Sequence, residues 1–191
     1  LEVFDMHRMS VEEFRQSEKM PLTVVLDNVR SMHNVGSVLR TADAFRVERV
    51  LMCGITSKPP HPELHKTALG AEDSVEWQYE KNTLEAVRRL KADGYRVCAI
   101  EQCEGSVMME AFEAKADTRY AVVFGNEVHG VQQEVVDECD ECIEIPQFGT
   151  KHSLNVSVTA GIVIWEFARR LMLTCALLLS CVLVSAQEII D

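Results

Sequence analysis

The sequence alternates short apolar runs with segments of helical periodicity, and this alternation constrains the fold more than any other feature. The apolar runs are rich in β-branched residues and predict strands, whereas the segments between them place apolar residues at helical spacing. Such alternation is typical of an α/β fold with a mainly parallel sheet and helices on both faces. The predicted strands are 22–28, 49–54, 74–79, 95–100, 119–125 and 142–146, and the predicted helices are 9–20, 34–45, 83–94, 132–139 and 154–170.

Composition narrows the class of protein. The 191 residues are 47% hydrophobic and 26% charged, which predicts one globular domain with a sizeable core. The formal net charge of −11 argues against general affinity for nucleic acid, although a local basic site is compatible with it. Seven cysteines without regular spacing indicate reduced thiols and a cytoplasmic protein. The pair Cys139 and Cys142 supplies too few ligands for a zinc site, so we expect no metal.

The two ends of the chain differ from this pattern. Residues 1–21 are interpreted as an N-terminal helical extension, with Ser10 and Glu13 spaced as a capping box, and residues 22–170 as the main domain. Residues 171–191 form a tail that begins with sixteen uncharged, mostly apolar residues, just short of the length that spans a bilayer. A buried terminal helix, a fused or out-of-frame tail and a membrane anchor are all compatible with this composition.

The first cluster of polar residues that suggests chemistry lies in residues 26–45. Asn34 follows a polar loop at the predicted start of a helix, where helix capping is its simplest role. Gly36 permits close approach of another backbone. Arg40 has apolar neighbours along the chain, so we expect it to interrupt a buried helix face and to need an anion or a carboxylate partner. A bound anion and a structural ion pair are both open at this point.

The second cluster, residues 122–131, is a strand that runs into a Gly-x-Glu-x-x-Gly turn. A dinucleotide-binding turn has glycine where Glu127 stands, and this carboxylate would repel a pyrophosphate. The turn therefore favours a ligand without phosphates that is held by backbone groups. The plain alternative is a strand-to-helix loop in which Glu127 complements a helix dipole.

The third cluster, residues 148–158, brings polar side chains to the start of a long apolar helix. Thr150, Lys151, His152, Ser153 and Asn155 all fall within six positions. Helix capping explains one of these residues but not five. Polar side chains at the carboxyl end of a strand are typical of ligand sites in open α/β sheets.

Together, "NVGSVLRTADAF", "VVFGNEVHGV" and "IEIPQFGTKHSLNVSVTAGIVIWE" match in type, order and spacing the three motifs of a known enzyme family. The chain resembles the SpoU/TrmH-type RNA ribose 2′-O-methyltransferases of the SPOUT superfamily over about residues 22–170, its expected SPOUT methyltransferase domain. The resemblance implies a C-terminal deep trefoil knot, formed by threading the segment with the third motif through an earlier loop. It also implies a homodimer, an RNA substrate (tRNA or rRNA) and S-adenosyl-L-methionine (SAM) as methyl donor.

The resemblance also implies roles for particular residues. Backbone groups around Gly125, Ile145 and Leu154 are expected to hold SAM. The family's polar active-site positions correspond to Arg40, Asn34, Glu127, Ser153 and Asn155. Because arginine stays protonated in proteins, we expect Arg40 to clamp a phosphate rather than to act as a base.

The implied reaction is SAM-dependent transfer of a methyl group to a ribose 2′-hydroxyl. Its main requirements are alignment of the hydroxyl with the methyl group and removal of one proton. RNA contact is expected from a local group of basic residues: Arg30, Arg40, Arg46, Arg49 and Lys151. The alternative is a non-catalytic, knotted RNA-binding or scaffold protein.

Overall fold

The computed structural model describes residues 9–151 and 153–173. Within them, seven strands form one sheet in which every neighbouring pair is parallel, in the order β3-β2-β1-β6-β4-β7-β5. The strands are β1 (Met20–Asp27), β2 (Val47–Cys53), β3 (Trp77–Glu80), β4 (Arg96–Ile100), β5 (Val107–Met108), β6 (Tyr120–Phe124) and β7 (Glu141–Glu144). The parallel α/β sheet predicted from the alternation is confirmed.

Within the described residues, seven α-helices connect or flank these strands. They are α1 (Val11–Gln16), α2 (Met32–Ala44), α3 (Pro62–Ala68), α4 (Ala71–Ser74), α5 (Thr83–Ala92), α6 (Gln133–Glu138) and α7 (Val156–Ala168). A π-helical turn, Arg169–Leu173, continues α7. The capping box predicted at the start of α1 is confirmed, because the Ser10 side chain accepts the Glu13 N–H and Glu13 accepts the Ser10 N–H.

Both faces of the sheet are buried, as the continuous apolar strands predict. One core contains side chains of α2, α3 and α7 against residues such as Val24 and Val122, and the other contains α5 and α6 against Val25 and Val123. Gly36 allows the close approach predicted for it, since a Cβ atom there would lie 2.5 Å from the Leu64 carbonyl oxygen of α3.

Three elements differ from the sequence prediction. A helix that was not predicted, α3, follows β2, and Pro62 occupies its first turn, where the missing N–H of proline costs nothing. The strand predicted over 74–79 begins only at Trp77, because residues 71–74 form the short helix α4. The two-residue strand β5 carries too short a pattern to be recognised.

Both ends of the chain extend beyond these residues. No helix within 9–151 and 153–173 is long and apolar enough to cross a bilayer. The predictions for the tail concern mainly residues 174–191, which lie outside the described part, as does His152. Strand β1 starts two residues before the predicted boundary at Leu22, and Phe14 of the N-terminal extension is buried in the larger core. The division into three regions stays a prediction.

Candidate active site

A cleft of about 520 Å³ opens at the carboxyl ends of β4, β6 and β7. Gly125, Glu127, Ile145, Ser153, Leu154 and Asn155 line it, together with residues that follow β4 and the first turn of α7. The second and third polar clusters of the sequence therefore meet in one place. This is the edge at which open parallel sheets bind ligands.

The glycine turn after β6 is closed tightly on itself. Asn126 and Gly130 exchange two backbone hydrogen bonds of 2.9 Å. A Cβ atom at Gly125 would lie 2.0 Å from the Gly130 carbonyl carbon and 2.1 Å from the Val131 nitrogen, so no side chain fits there. Glycine at position 125 thus sets the shape of the cleft wall through its backbone.

Glu127 connects this turn to the start of α2. Its carboxylate accepts the backbone N–H groups of Arg30 (3.0 Å) and Ser31 (2.9 Å) and the side-chain amide of Asn34 (3.1 Å). Partial burial opposes ionisation of this carboxyl, but the backbone hydrogen bonds from Arg30 and Ser31 outweigh it and lower the pKa of Glu127. The expected complement to a helix N-terminus is present, although the helix is α2 rather than the one that follows the turn.

The hydrogen bonds continue from the first cluster to the third. The Asn155 side chain donates to the Asn34 side-chain oxygen at 3.2 Å. Asn155 is itself the N-cap of α7 and accepts from the Ser157 N–H at 2.9 Å. The simple capping role considered for Asn34 is not observed, since Ser31 caps α2. Glu127, Asn34 and Asn155 thus form one chain of side-chain hydrogen bonds beside the cleft.

Asn34 and Arg40 are the predicted site residues that do not line the cleft, and only Asn34 is hydrogen-bonded to residues that do. Arg40 lies on α2 with its side chain exposed, so the expectation that it interrupts a buried helix face is wrong. Val35, Val38, Leu39 and Ala42 do form the buried face, but Arg40 projects roughly 140° around the helix axis from Val35. Within residues 9–151 and 153–173, Arg40 has neither an ion-pair nor a hydrogen-bond partner.

Sequence reasoning missed other residues of the cleft wall. Glu101 lines the cleft and accepts the Val131 N–H at 3.0 Å, which ties the loop after β4 to the glycine turn. Gln102, Gln147 and Thr159 also line it. Glu101 directly follows a predicted strand, and the rule that ligands bind at strand ends was sufficient to indicate it. In the described part of the chain, we find no group of three or more His, Cys, Asp or Glu side chains placed to hold a metal ion.

The sequence model of the SpoU rRNA methylase family matches residues 21–165. The chain belongs to the SpoU rRNA methylase family. The resemblance inferred from the three motifs is thereby confirmed, and the match covers all seven strands except Met20 of β1, and all but the last residues of α7.

Individual relatives agree with this assignment. The 23S rRNA (guanosine-2′-O-)-methyltransferase RlmB of Neisseria meningitidis is 33% identical over 153 residues, which cover 80% of this chain and 60% of that protein. This chain thus matches less than two thirds of the length of that relative. The A. aeolicus TrmH/SpoU tRNA modifying enzyme superposes with a TM-score of 0.74 at 28% identity, covering 84% of this chain and 80% of that one. The AdoMet-bound rRNA methyltransferase from Sinorhizobium meliloti gives 0.73 at 30% identity, with coverages of 85% and 61%.

Proposed function

We propose that this protein transfers a methyl group from SAM to a ribose 2′-hydroxyl of tRNA or rRNA. The observation that carries the proposal is the meeting of three separate motifs at one cleft. Asn34, Glu127 and Asn155 come from parts of the sequence about 90 and 30 residues apart, yet they form one hydrogen-bonded chain. Relatives named as RNA 2′-O-methyltransferases support the reaction class. A cytoplasmic location is part of the same proposal.

The cleft has the chemical character that SAM requires. Gly125, Ile145 and Leu154 offer backbone groups, and Ile100, Ile143 and Val156 offer an apolar wall for an adenine ring. The carboxylates of Glu101 and Glu127 lie at the same cleft and disfavour a pyrophosphate, whereas they are compatible with the positive charge of SAM. When bound, SAM supplies an activated methyl group on a sulfonium. A solved relative is described as AdoMet-bound.

Glu127, Asn34 and Asn155 are best suited to positioning. Both oxygens of Glu127 already accept hydrogen bonds and its pKa is lowered, so it is a weak base. The glutamate fixes the Asn34 amide, and Asn34 in turn orients Asn155 at the rim of the cleft. Ser153 lies exposed at the same rim, where its hydroxyl is free to bind a substrate.

Arg40 remains our candidate for the group that clamps a substrate phosphate. Its side chain is exposed and has no partner among the described residues, so it is available to RNA. Arg30 and Lys151 are exposed as well and extend this basic group. Arg49, by contrast, donates to Thr23 and Tyr95 within the domain, and it is therefore removed from the proposed RNA contacts.

The knot is supported by the position of β7. Ile143 pairs with Ile100 of β4 on one side and with Val107 of β5 on the other. The connection of residues 101–106 must therefore cross β7, although β7 comes later in the chain. We propose that the segment from β7 to α7 threads this region as a deep trefoil knot, an exception to the usual absence of knots.

The proposed homodimer is supported by the outer face of α7. Val158, Ile162 and Trp165 recur at helical spacing on α7 and are 50%, 38% and 48% exposed, and Leu154, just before the helix, is 39% exposed. Large exposed apolar surfaces are typical of interaction sites, and stable homodimers bury such surfaces. A second copy of this chain is the occupant that the resemblance implies.

Two measurements test the proposed function. Calorimetry with S-adenosylhomocysteine should show one site per chain, and incubation of RNA with methyl-labelled SAM should place the label on ribose 2′-oxygens. Absence of binding by the folded protein at millimolar ligand would contradict the proposal. Binding without methyl transfer to any tRNA or rRNA would instead favour the non-catalytic RNA-binding alternative.

A further inference from the structure

Two thiols meet where the 101–106 connection crosses β7. Cys142 is on β7, and its Sγ donates to the Glu101 carbonyl oxygen at 3.3 Å. The connection therefore passes over the face of β7 that carries Cys142, and the Cys103 thiol, two residues after Glu101, lies near the Cys142 thiol. Both cysteines are partly exposed.

The other cysteines of the described ranges lack this combination of contact and access. Cys53 and Cys98 are buried on β2 and β4. Cys139 is partly exposed but lies beyond the C-terminus of α6, at the start of the turn into β7. Burial raises the pKa of Cys142 to about 12, with a further contribution from the neighbouring Cys103 thiol. Cys142 is thus poorly ionised at neutral pH, and the partly exposed Cys103 is the thiol that meets an oxidant first.

We propose that Cys103 and Cys142 form a reversible disulfide when the protein meets a hydroperoxide, and that this crosslink weakens the proposed cofactor cleft. In the first step the Cys103 sulfur attacks the peroxide oxygen, the O–O bond breaks, and a sulfenic acid and one molecule of water or alcohol form. In the second step the Cys142 sulfur attacks the Cys103 sulfur. The S–O bond breaks, and the hydroxyl leaves as water with the Cys142 proton, so two electrons pass from the two thiols to the peroxide.

The effect on the cleft follows from Glu101. Two separate thiols must move closer to reach the S–S bond length of about 2.05 Å, so residues 101–103 must shift toward β7. The Glu101 carboxylate holds the Val131 N–H at 3.0 Å, and it also lies where a side chain at Gly130 would be. A shift of the Glu101 backbone therefore strains the contact that ties this loop to the glycine turn.

The crosslink itself is tested on the full chain by mass spectrometry. Reduced protein is treated with hydrogen peroxide and digested without reductant, and we expect a linked Cys103–Cys142 peptide that disappears on adding dithiothreitol. Cys103→Ser and Cys142→Ser should both abolish it, while the matched variant Cys139→Ser should retain it. Irreversible oxidation of Cys103 alone, or a dominant link to any other cysteine, including Cys175 and Cys181, would overturn the proposal. Since Cys103 is partly exposed, its variant remains informative if Cys142→Ser fails to fold.

The consequence for the cleft rests on the proposed function and has its own measurements. Affinity for S-adenosylhomocysteine should fall about fivefold on crosslinking, the equivalent of one lost hydrogen bond, and it should not change when Cys103→Ser is treated in the same way. Unchanged affinity in fully crosslinked protein would refute the coupling. If the reduced protein binds no S-adenosylhomocysteine, the proposed function fails. The presence or absence of the linked Cys103–Cys142 peptide still tests whether the disulfide forms. In that case the coupling is tested by hydrogen exchange of the Val131 amide, which should be faster in the crosslinked protein than in the reduced protein. An unchanged exchange rate would refute the coupling.

Discussion

Glu127 holds three donors in place with one carboxylate. Two are backbone N–H groups at the start of α2 and the third is the Asn34 amide. The helix dipole favours a negative charge at this end, which agrees with the lowered pKa of Glu127. The residue therefore joins the glycine turn to α2 more strongly when it is ionised.

We predict that Glu127→Gln destabilises the protein near neutral pH by about 1 kcal/mol, discounted for exposure of the carboxyl. A group with a depressed folded-state pKa stabilises the fold above its unfolded value, near 4.5, and loses this contribution as the pH falls through the folded value. Urea denaturation of both proteins at pH 7 and at progressively lower pH should show the stability gap closing below about pH 4.5. A gap independent of pH would mean that the charge of Glu127 is irrelevant to stability.

Arg40 acts, in our proposal, on RNA rather than on the fold. Because its side chain is exposed and unpartnered in the described ranges, Arg40→Ala should leave the thermal stability and the affinity for S-adenosylhomocysteine nearly unchanged. Loss of a charge-assisted phosphate contact should lower single-turnover methylation by about tenfold to a hundredfold. Arg40→Lys should restore little, because an ammonium lacks the planar fork of a guanidinium.

The control for Arg40 is Arg15→Ala. Arg15 is another exposed arginine, but it lies on α1 and donates to the Asp73 carbonyl oxygen rather than facing RNA in our proposal. Its methylation rate should stay close to that of the wild type. Near-normal turnover in Arg40→Ala would remove Arg40 from the substrate site.

At the scale of elements, the turn after β6 depends on the absence of a side chain at Gly125. In Gly125→Ala the new Cβ would meet backbone atoms of Gly130 and Val131 at 2.0 and 2.1 Å, and backbone cannot rotate away as a flexible side chain can. We predict a stability loss of about 2 kcal/mol or more and strongly weakened binding of S-adenosylhomocysteine.

The matched control is Gly149→Ala, in the loop between β7 and α7. A Cβ atom there would have nothing within 4 Å, so stability should be retained. Thermal denaturation and calorimetry of both variants provide the comparison. Full binding by Gly125→Ala would show that the turn adapts and does not define the cofactor site.

The sequence predicts those elements whose pattern is decided locally. β6 is a continuous apolar run, and α5 has regular helical spacing between an Asn82 cap and Gly94, so both were predicted within a few residues. Arg40 shows the limit of this reasoning. Its neighbours along the chain are buried, but helix geometry turns it to the opposite side. The two-residue strand β5 is defined by its pairing with β7, and such a pairing cannot be seen in a local sequence pattern.

The site was predictable only in part for a related reason. The three motifs indicated Asn34, Glu127 and Asn155, and the fold joins them as hydrogen-bond partners. The contact between Glu101 and the glycine turn depends on sheet order, since β4 neighbours β6 although they are separated in sequence. Long-range pairing of this kind is decided by tertiary packing and not by periodicity.

At the scale of the whole molecule, one face of α7 is buried in the core and the other is exposed to solvent. Ala160, Val163, Ile164 and Phe167 are buried in the larger core, where the Phe167 ring packs 5.3 Å from that of Tyr120. The other face leaves three large apolar side chains, Val158, Ile162 and Trp165, partly in solvent. A helix that is apolar on most sides is normally buried on most sides, and the proposed homodimer would cover the outer face of α7.

Trp165→Glu tests whether a second copy of this chain covers that face. Trp165 is 48% exposed, so the substitution should leave the core intact while placing a charge on the proposed interface. Its ring contacts within the described residues include Phe45, at 5.8 Å between the ring centroids. A buried, unpaired charge opposes association. Light scattering should give a dimer mass for the wild type and a monomer mass for Trp165→Glu. Ile55→Glu, at another exposed apolar position in the loop after β2 (65% exposed) that is not part of the proposed interface, should remain dimeric. A monomeric wild type would contradict the homodimer, and a dimeric Trp165→Glu would move the interface away from the outer face of α7.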